Sequence, residues 1–226
     1  MYILAASPVT ARIRLVALRA YFRWCGNGDP TVGLRVRRLR PVPRKPFSDV
    51  ELRALIAACR TPRERALILC CIATGARLSE IAGMATDDLR GDGMLLINGK
   101  GNRQRWLHLG KTAYQALACY LNGREGRVWL ADARQTSALY RGRPMAAHGL
   151  YEVVIRISAR AGVSDPHPHR FRTTFANRFL ESGGDGGALQ ILMGHSSLTQ
   201  TMEYAAYGAA ERALAQQARY SLADRL

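Results

Sequence analysis

HPHRFRTTFANRFLESGGDGGALQILMGHSSLTQTMEYAAY, residues 167–207, sets two histidines, an arginine and a tyrosine at spacings that surface solubility does not require. Phe171, Phe175, Phe179 and Leu180 recur with a helical rhythm, which predicts a helix over 167–182. On that helix His169 and Arg172, three residues apart, share a face. Gly183, Gly184, Gly186 and Gly187 interrupt it, and a short apolar helix over 187–193 follows. Gly194-His195 ends this segment, and Tyr204 stands nine residues beyond His195, within a helix expected over 198–206.

Upstream, Ser48 and Glu51 form a capping box before Leu52, Leu55 and Ile56, so a helix starts there. A second helix begins at Pro62, which suits a first turn, and stops at Gly75. ARLSEIAGM opens a short helix. Met94–Ile97 and Arg105–Leu109 read as two strands, joined through Asn98-Gly99-Lys100-Gly101-Asn102, where Gly and Asn supply the positive φ angles of a tight hairpin. Helices are expected at 111–122 and 146–161, with a last one at 209–220. The fold class is therefore α+β, mainly α-helical, with a small antiparallel hairpin.

Residues 11–25 form an amphipathic helix with Leu15, Leu18, Phe22 and Cys25 on one face and Arg12, Arg19 and Arg23 on another. The following stretch holds Arg35, Arg37, Arg38, Arg40, Arg44 and Lys45 among prolines, too charged for a core and too proline-rich for a helix. The chain thus divides into an N-terminal helix in 1–30, a basic linker at 31–46 that tracks a phosphate backbone, and a main domain over 47–226 with a helical tail.

Thirty-three Lys and Arg against 17 Asp and Glu give a net charge of +16 in 226 residues, and 48% of the chain is hydrophobic, enough for a real core. Such an excess favours a polyanion, because each neutralised phosphate releases condensed counterions. The apolar content and the dominance of arginine over lysine argue against a ribosomal-type protein. No segment combines a strong apolar face with basic anchors, which argues against a membrane-surface binder. Five cysteines without framework spacing read as reduced core thiols. No basic region precedes the brief apolar run at the N-terminus and no stretch is long enough to span a bilayer, so a cytoplasmic, nucleoid-associated protein is expected.

The residue types point to one chemistry. Cleaving a phosphodiester with a tyrosine needs cations for the charge on the non-bridging oxygens, a general acid for the leaving 5′-oxygen, and a group to accept the phenolic proton. Arg77 and Arg172 suit the phosphate clamp, since guanidinium meets phosphate bidentately. Lys100 at the hairpin tip suits the acid, His169 and His195 suit phosphate contact or proton movement, and Glu80 suits support of Arg77. Tyr204 is the nucleophile, with Tyr207 its rival on the same helix. His167-Pro168-His169 invites a metal reading, but no third and fourth ligand stand at a helpful spacing, so no metal and no cofactor are expected.

The strings TGARLSE (74–80), INGKGNRQR (97–105), HRFRTTFAN (169–177), LMGHSS (192–197) and TMEYA (201–205) resemble, in order, the motifs of the tyrosine recombinase or phage integrase family. The resemblance covers about residues 47–208, and residues 11–25 resemble the last helix of the family's core-binding domain. It implies a site-specific DNA recombinase that breaks and rejoins strands through a 3′-phosphotyrosine on Tyr204, without ATP or metal. By it Arg77 and Arg172 are the phosphate arginines, Lys100 the hairpin acid, and His169 and His195 the phosphate-contacting histidines. Only a remnant of the core-binding domain is matched, as in a shortened enzyme or a fragment, which implies weak independent binding or dependence on a partner. Thr173 stands where the family often has another histidine. The resemblance further implies a tetramer on double-stranded DNA, linked through the tail 209–226, and Arg103 joins the linker and helix cations as a DNA contact. Two alternatives share parts of this reading, a type IB topoisomerase-like relaxase and a catalytically silent DNA-binding regulator.

Overall fold

The computed structural model describes residues 8–26, 28–36, 45–99, 101, 103–131 and 142–195. The chain forms two compact units, Met1–Val42 and Pro43–Leu226.

The first unit holds α1 (Pro8–Cys25), longer at its start than the periodicity indicated. Leu15 is buried, and Leu18, Phe22 and Cys25 are half-buried. Arg19 reaches from the helix to the segment after it: Nε donates to Thr31 Oγ1 at 3.3 Å and Nη2 to the Leu34 carbonyl at 2.9 Å. Asp29 Oδ1 in turn accepts from the Thr31 hydroxyl at 2.6 Å and its amide at 2.8 Å, which holds the Asp29 carboxyl below its usual range. Residues 31–34, the start of the expected linker, are thus tied back onto α1.

The second unit is built around α3 (Pro62–Thr74). Thr61 accepts from the Glu64 amide to cap it, and residues 66–71 are all buried, so neighbours cover it on every side. α2 (Asp49–Ala57), α5 (Gly110–Leu121), α6 (Ala147–Arg160) and α7 (His169–Glu181) pack against it. The capping box of α2 forms as expected, Ser48 Oγ accepting from the Glu51 amide and Glu51 Oε2 from the Ser48 amide. α4 (Leu78–Ala82) leads to β1 (Met94–Asn98), which pairs antiparallel with β2 (Gln104–His108) in a two-stranded sheet running from Met94↔His108 to Asn98↔Gln104. β2 sits one residue earlier than the expected 105–109, because Leu109 is buried and its amide turns to the Gly93 carbonyl as α5 begins. α8 (Gly186–Met193) is capped by Asp185, whose Oδ2 accepts from the Ala188 amide. The helices expected at 198–206 and 209–220 lie outside the described residues.

Two junctions fix where α7 meets its neighbours. At the first, Phe47 packs on Phe171 with ring centres 4.7 Å apart and the planes tilted by 50°, and the Arg170 guanidinium lies 4.0 Å over the Phe47 ring. Arg170 also pairs with Glu51 at 2.9 Å and donates to the Lys45 carbonyl at 3.0 Å, so the far end of the expected linker is anchored too. At the second, α3 ends on Gly75 with φ +56, where a Cβ would lie 2.7 Å from Phe175 Cβ on α7. Only glycine fits both the backbone angle and the approach.

Not every thiol is in the core. Cys70 and Cys71 are buried, and burial pushes the Cys70 thiol up to about 12, but Cys25 and Cys59 are half-buried and Cys119 is exposed. Among the described residues, no helix is long and apolar enough to cross a membrane.

Gly75→Ala combines left-handed backbone strain with overpacking against Phe175 and is expected to cost about 2–4 kcal/mol of stability. Urea unfolding checks this; a loss within the scale of an ordinary surface change (~0.5 kcal/mol) would show that the two helices yield at this point.

Candidate active site

Arg172 is the centre of the site. Its side chain comes off the buried face of α7, and the residue is 2% exposed. Nη1 donates to the Gly75 carbonyl at 2.9 Å, and Nη2 donates to the Met193 carbonyl. Gly75 caps the end of α3 and Met193 is the last residue of α8, so the cation lies between two helix C-termini. Those ends leave carbonyls without intrahelical donors and carry the negative end of the macrodipole, which makes a buried guanidinium tolerable there.

His195 follows the left-handed Gly194 (φ +61) that ends α8, and its ring is turned inward to Arg172, Nε2 lying 2.9 Å from Nη2. Guanidinium nitrogen only donates, so Nε2 accepts and the neutral ring carries its proton on Nδ1. Burial, reinforced by the positive charges of Arg172, Arg77, Arg105 and His169, pushes the imidazole down to about 4. His195 is therefore neutral at pH 7.

Arg77 occupies the N-cap position of α4. Its amide donates to Glu80 Oε2 at 2.9 Å and Nη1 to Oε1 at 3.0 Å, while the side chain stays 42% exposed. Glu80 is buried, and burial works to raise its carboxyl, but hydrogen bonds from Arg105 and Arg77 outweigh that and hold it below the usual carboxylate range. The expected supporting role of Glu80 has this geometry behind it, with a second arginine added.

A cavity of about 360 Å³ opens between α4, α6 and the start of α7. Arg77, His169 and Arg172 line it together, with Ala76 and Leu78 on one wall and His148, Tyr151, His167 and Pro168 on the other. His169 is exposed in the first turn of α7, and its amide donates to His167 Nδ1 at 3.1 Å. His195 and Glu80 stand behind this lining, touching Arg172 and Arg77 respectively.

Of the residues expected from sequence, Arg77, His169, Arg172, His195 and Glu80 thus converge. Lys100 and Tyr204 lie outside the described residues, as do Tyr207, Arg37, Arg38, Arg40, Arg44 and the tail. Arg12, Arg23, Arg35, Lys45 and Arg103 are exposed, whereas Arg19 is half-buried and engaged with Thr31 and Leu34. Sequence reading missed His148 and Tyr151 on the cavity wall, weighed His167 only as a metal ligand, and missed Arg105. The signal for Arg105 was present: it shares with Leu107 the inward face of β2, an unusual place for an arginine.

Known proteins share this arrangement of elements and motifs. The phage integrase family matches residues 47–211. Tyrosine recombinase XerC of Lactobacillus delbrueckii subsp. bulgaricus is 30% identical over 214 residues, which cover 88% of this chain and 72% of that protein. Tyrosine recombinase XerD of Mycobacterium tuberculosis is 34% identical over 220 residues, covering 88% of this chain and 70% of that protein. Among solved structures, the Tn1549 transposon integrase in complex with circular intermediate DNA superposes with a TM-score of 0.73 at 20% identity, covering 96% of this chain and 81% of that one. The chain belongs to the phage integrase family, the tyrosine recombinases.

Proposed function

We propose that this chain breaks and rejoins double-stranded DNA at specific sites through a covalent 3′-phosphotyrosine on Tyr204, using neither metal nor ATP. The observation that carries the reading is the convergence of Arg77, His169 and Arg172 on one cavity, with His195 held at 2.9 Å against Arg172. A scissile phosphate in that cavity meets two guanidinium groups positioned before it arrives, so charge growing on the non-bridging oxygens is met without reorganisation. As the Tyr204 oxygen attacks phosphorus its phenolic proton passes to the His169 imidazole, the bond to the 5′-oxygen breaks, and Lys100 supplies the proton that makes the 5′-hydroxyl. Resealing is the reverse: a 5′-hydroxyl attacks the phosphotyrosine and the phenol leaves. One phosphodiester is exchanged for another at each step, so the bond energy is retained.

DNA as partner is supported by the net charge of +16 and by a solved neighbour of the same fold that is recorded with DNA. Arg12, Arg23 and Arg35 in the first unit, and Lys45 and Arg103 in the second, are exposed cations that suit contact with a phosphate backbone. Four copies assemble on paired sites, each linked to the next through residues 209–226, and the protein acts in the cytoplasm at the nucleoid.

Incubation with a nicked duplex tests the chemistry. Tyr204→Phe is expected to abolish covalent protein–DNA product and Tyr207→Phe to retain it; the opposite pattern would reassign the nucleophile, and product from both would sink the tyrosine mechanism. Deleting residues 209–226 is expected to leave DNA binding intact and recombination poor, and full recombination by the truncated chain would remove the tail from assembly. The neutral His195 has a pH signature. Between 6.5 and about 4 the unfolded chain binds a proton that the folded ring refuses, so stability falls as pH drops through that window. An NMR titration is expected to place the His195 midpoint near 4, and His195→Gln to flatten the fall in melting temperature as the pH drops below 6.5. A midpoint near 6.5 would contradict the buried, cation-crowded ring.

A further inference from the structure

Taking Arg77 and His195 as phosphate-binding groups, as the proposed function requires, we infer that Arg105 is a positioning residue whose guanidinium clamps the turn bearing Arg77 to the turn bearing His195. Its side chain is 8% exposed, and its hydrogen bonds run to those two turns. Nη2 and Nη1 straddle the Glu80 carboxylate at 2.8 Å and 3.3 Å, while Nε donates to the Leu192 carbonyl at 2.7 Å. Leu192 lies in the last turn of α8, three residues before His195. Glu80 sits in α4 and holds Arg77 through both its amide and its guanidinium. The path from Arg77 to His195 thus runs through one carboxylate and one guanidinium, all by charge-assisted hydrogen bonds, which are the stronger kind.

Two glycines close on the same group. A Cβ at Gly194 would meet Arg105 Nη1 at 3.0 Å and Cζ at 3.2 Å. A Cβ at Gly99 would meet Nη1 at 3.4 Å and Glu80 Oε1 at 3.5 Å. Backbone from the hairpin and from the end of α8 is therefore laid against the guanidinium, in space that side chains would fill. Lysine has the charge but not the fork, and a single ammonium cannot bridge both carboxylate oxygens and a carbonyl in this arrangement. Glu80 is shared between two arginines and Arg105 reaches both of its oxygens, so losing the Arg105 fork leaves both open to a closer pairing with the Arg77 guanidinium. Arg77 is then drawn into a two-oxygen pair with Glu80, away from the cavity, and the Gly194-His195 turn loses its tie to α4.

The test uses the full-length chain and nicked duplexes whose scissile phosphate carries either the ordinary 5′-oxygen or a 5′-bridging sulfur, which needs no protonation on leaving. Arg105→Lys is expected to slow single-turnover formation of covalent product by on the order of tenfold to a hundredfold on both substrates, with the Kd for DNA changed by less than about threefold. Gly194→Ala, which presses on the guanidinium and strains the left-handed turn before His195 without altering any charge, is expected to move the rate in the same direction. A rate at the wild-type level in Arg105→Lys overturns the inference. So does a loss confined to the oxygen substrate, which would place Arg105 on the leaving-group side, and so does a loss that matches the fall in folded fraction measured by circular dichroism. Hydrogen exchange at the Gly194 and His195 amides gives a readout that needs no catalysis. Exchange about tenfold faster or more in Arg105→Lys supports the clamp, and unchanged exchange overturns it. A wild-type chain that forms no covalent product sinks the Tyr204 reading, and the exchange data then decide for Arg105 alone.

Discussion

The burial of Arg172 constrains the rest of this molecule. A guanidinium cannot be neutralised by losing a proton, so an interior that accepts one must supply acceptors in full. Two of them are backbone, the carbonyls of Gly75 and Met193 at the ends of two helices that are remote in sequence, and another is His195 Nε2. This makes the cation a structural requirement as well as a chemical one, because α3 and α8 must both end beside it. The glycines at those ends answer the same demand. Gly75 and Gly194 adopt left-handed angles that stop each helix and turn its last carbonyls inward. Gly75 further allows α7 to approach until Phe175 lies where a side chain would be.

Three carboxylates, those of the buried Glu80 and Glu64 and of the half-buried Glu51, each serve several donors. Glu80 takes hydrogen bonds from Arg77 and Arg105, Glu51 from Arg170 and its own cap amide, and Glu64 from Arg160 and the Arg60 amide. In each case the carboxylate links elements that the core alone would only pack loosely against one another. Hydrophobic burial is non-directional, and it fixes which faces meet more firmly than it fixes the angle between them. A two-oxygen acceptor with donors on separate elements supplies that angle. Replacing such a group with an apolar residue of like volume need not cost stability, but removing one partner alone leaves a charge stranded.

Local signals made most of the fold legible in the sequence. Ser48 with Glu51, Pro62, Gly75 and the Gly-rich interval after Glu181 mark helix ends through short-range chemistry, and each end falls where that chemistry places it. The hairpin was readable from alternation and turn residues, with an error of one residue where Leu109 was drawn into the core. Part of the candidate site was legible through motif order: Arg77, Glu80, His169, Arg172 and His195 come together although no local rule joins them, while Lys100 and Tyr204 lie outside the described residues. The inward place of Arg105 on β2 was readable from alternation, but its partner on α8 was not, nor was that of Arg170 on α2: Leu192 lies 87 residues from Arg105 and Glu51 lies 119 from Arg170, and only the folded chain brings them near. The same holds for His148 and Tyr151, which reach the cavity wall only because α6 packs with its N-terminal turn beside α4.

Charge balance gives the arrangement its consequence. Burial depresses the His195 imidazole first, the charges of Arg172, Arg77, Arg105 and His169 add to the effect, and Glu80 is the carboxylate paired with two of these arginines. That leaves the pocket with excess positive charge before anything enters it. Like charges held together cost free energy, and the cost is carried by the packing of α3, α7 and α8, which leaves the side chains nowhere else to go. An anion entering the cavity meets donors that need no rearrangement and relieves repulsion already present. His195 adds to this by remaining neutral: a charged imidazole would raise the repulsion and could not accept from Arg172, whereas the neutral ring fixes the orientation of the guanidinium. The depressed imidazole and the buried arginine are thus two parts of one electrostatic arrangement.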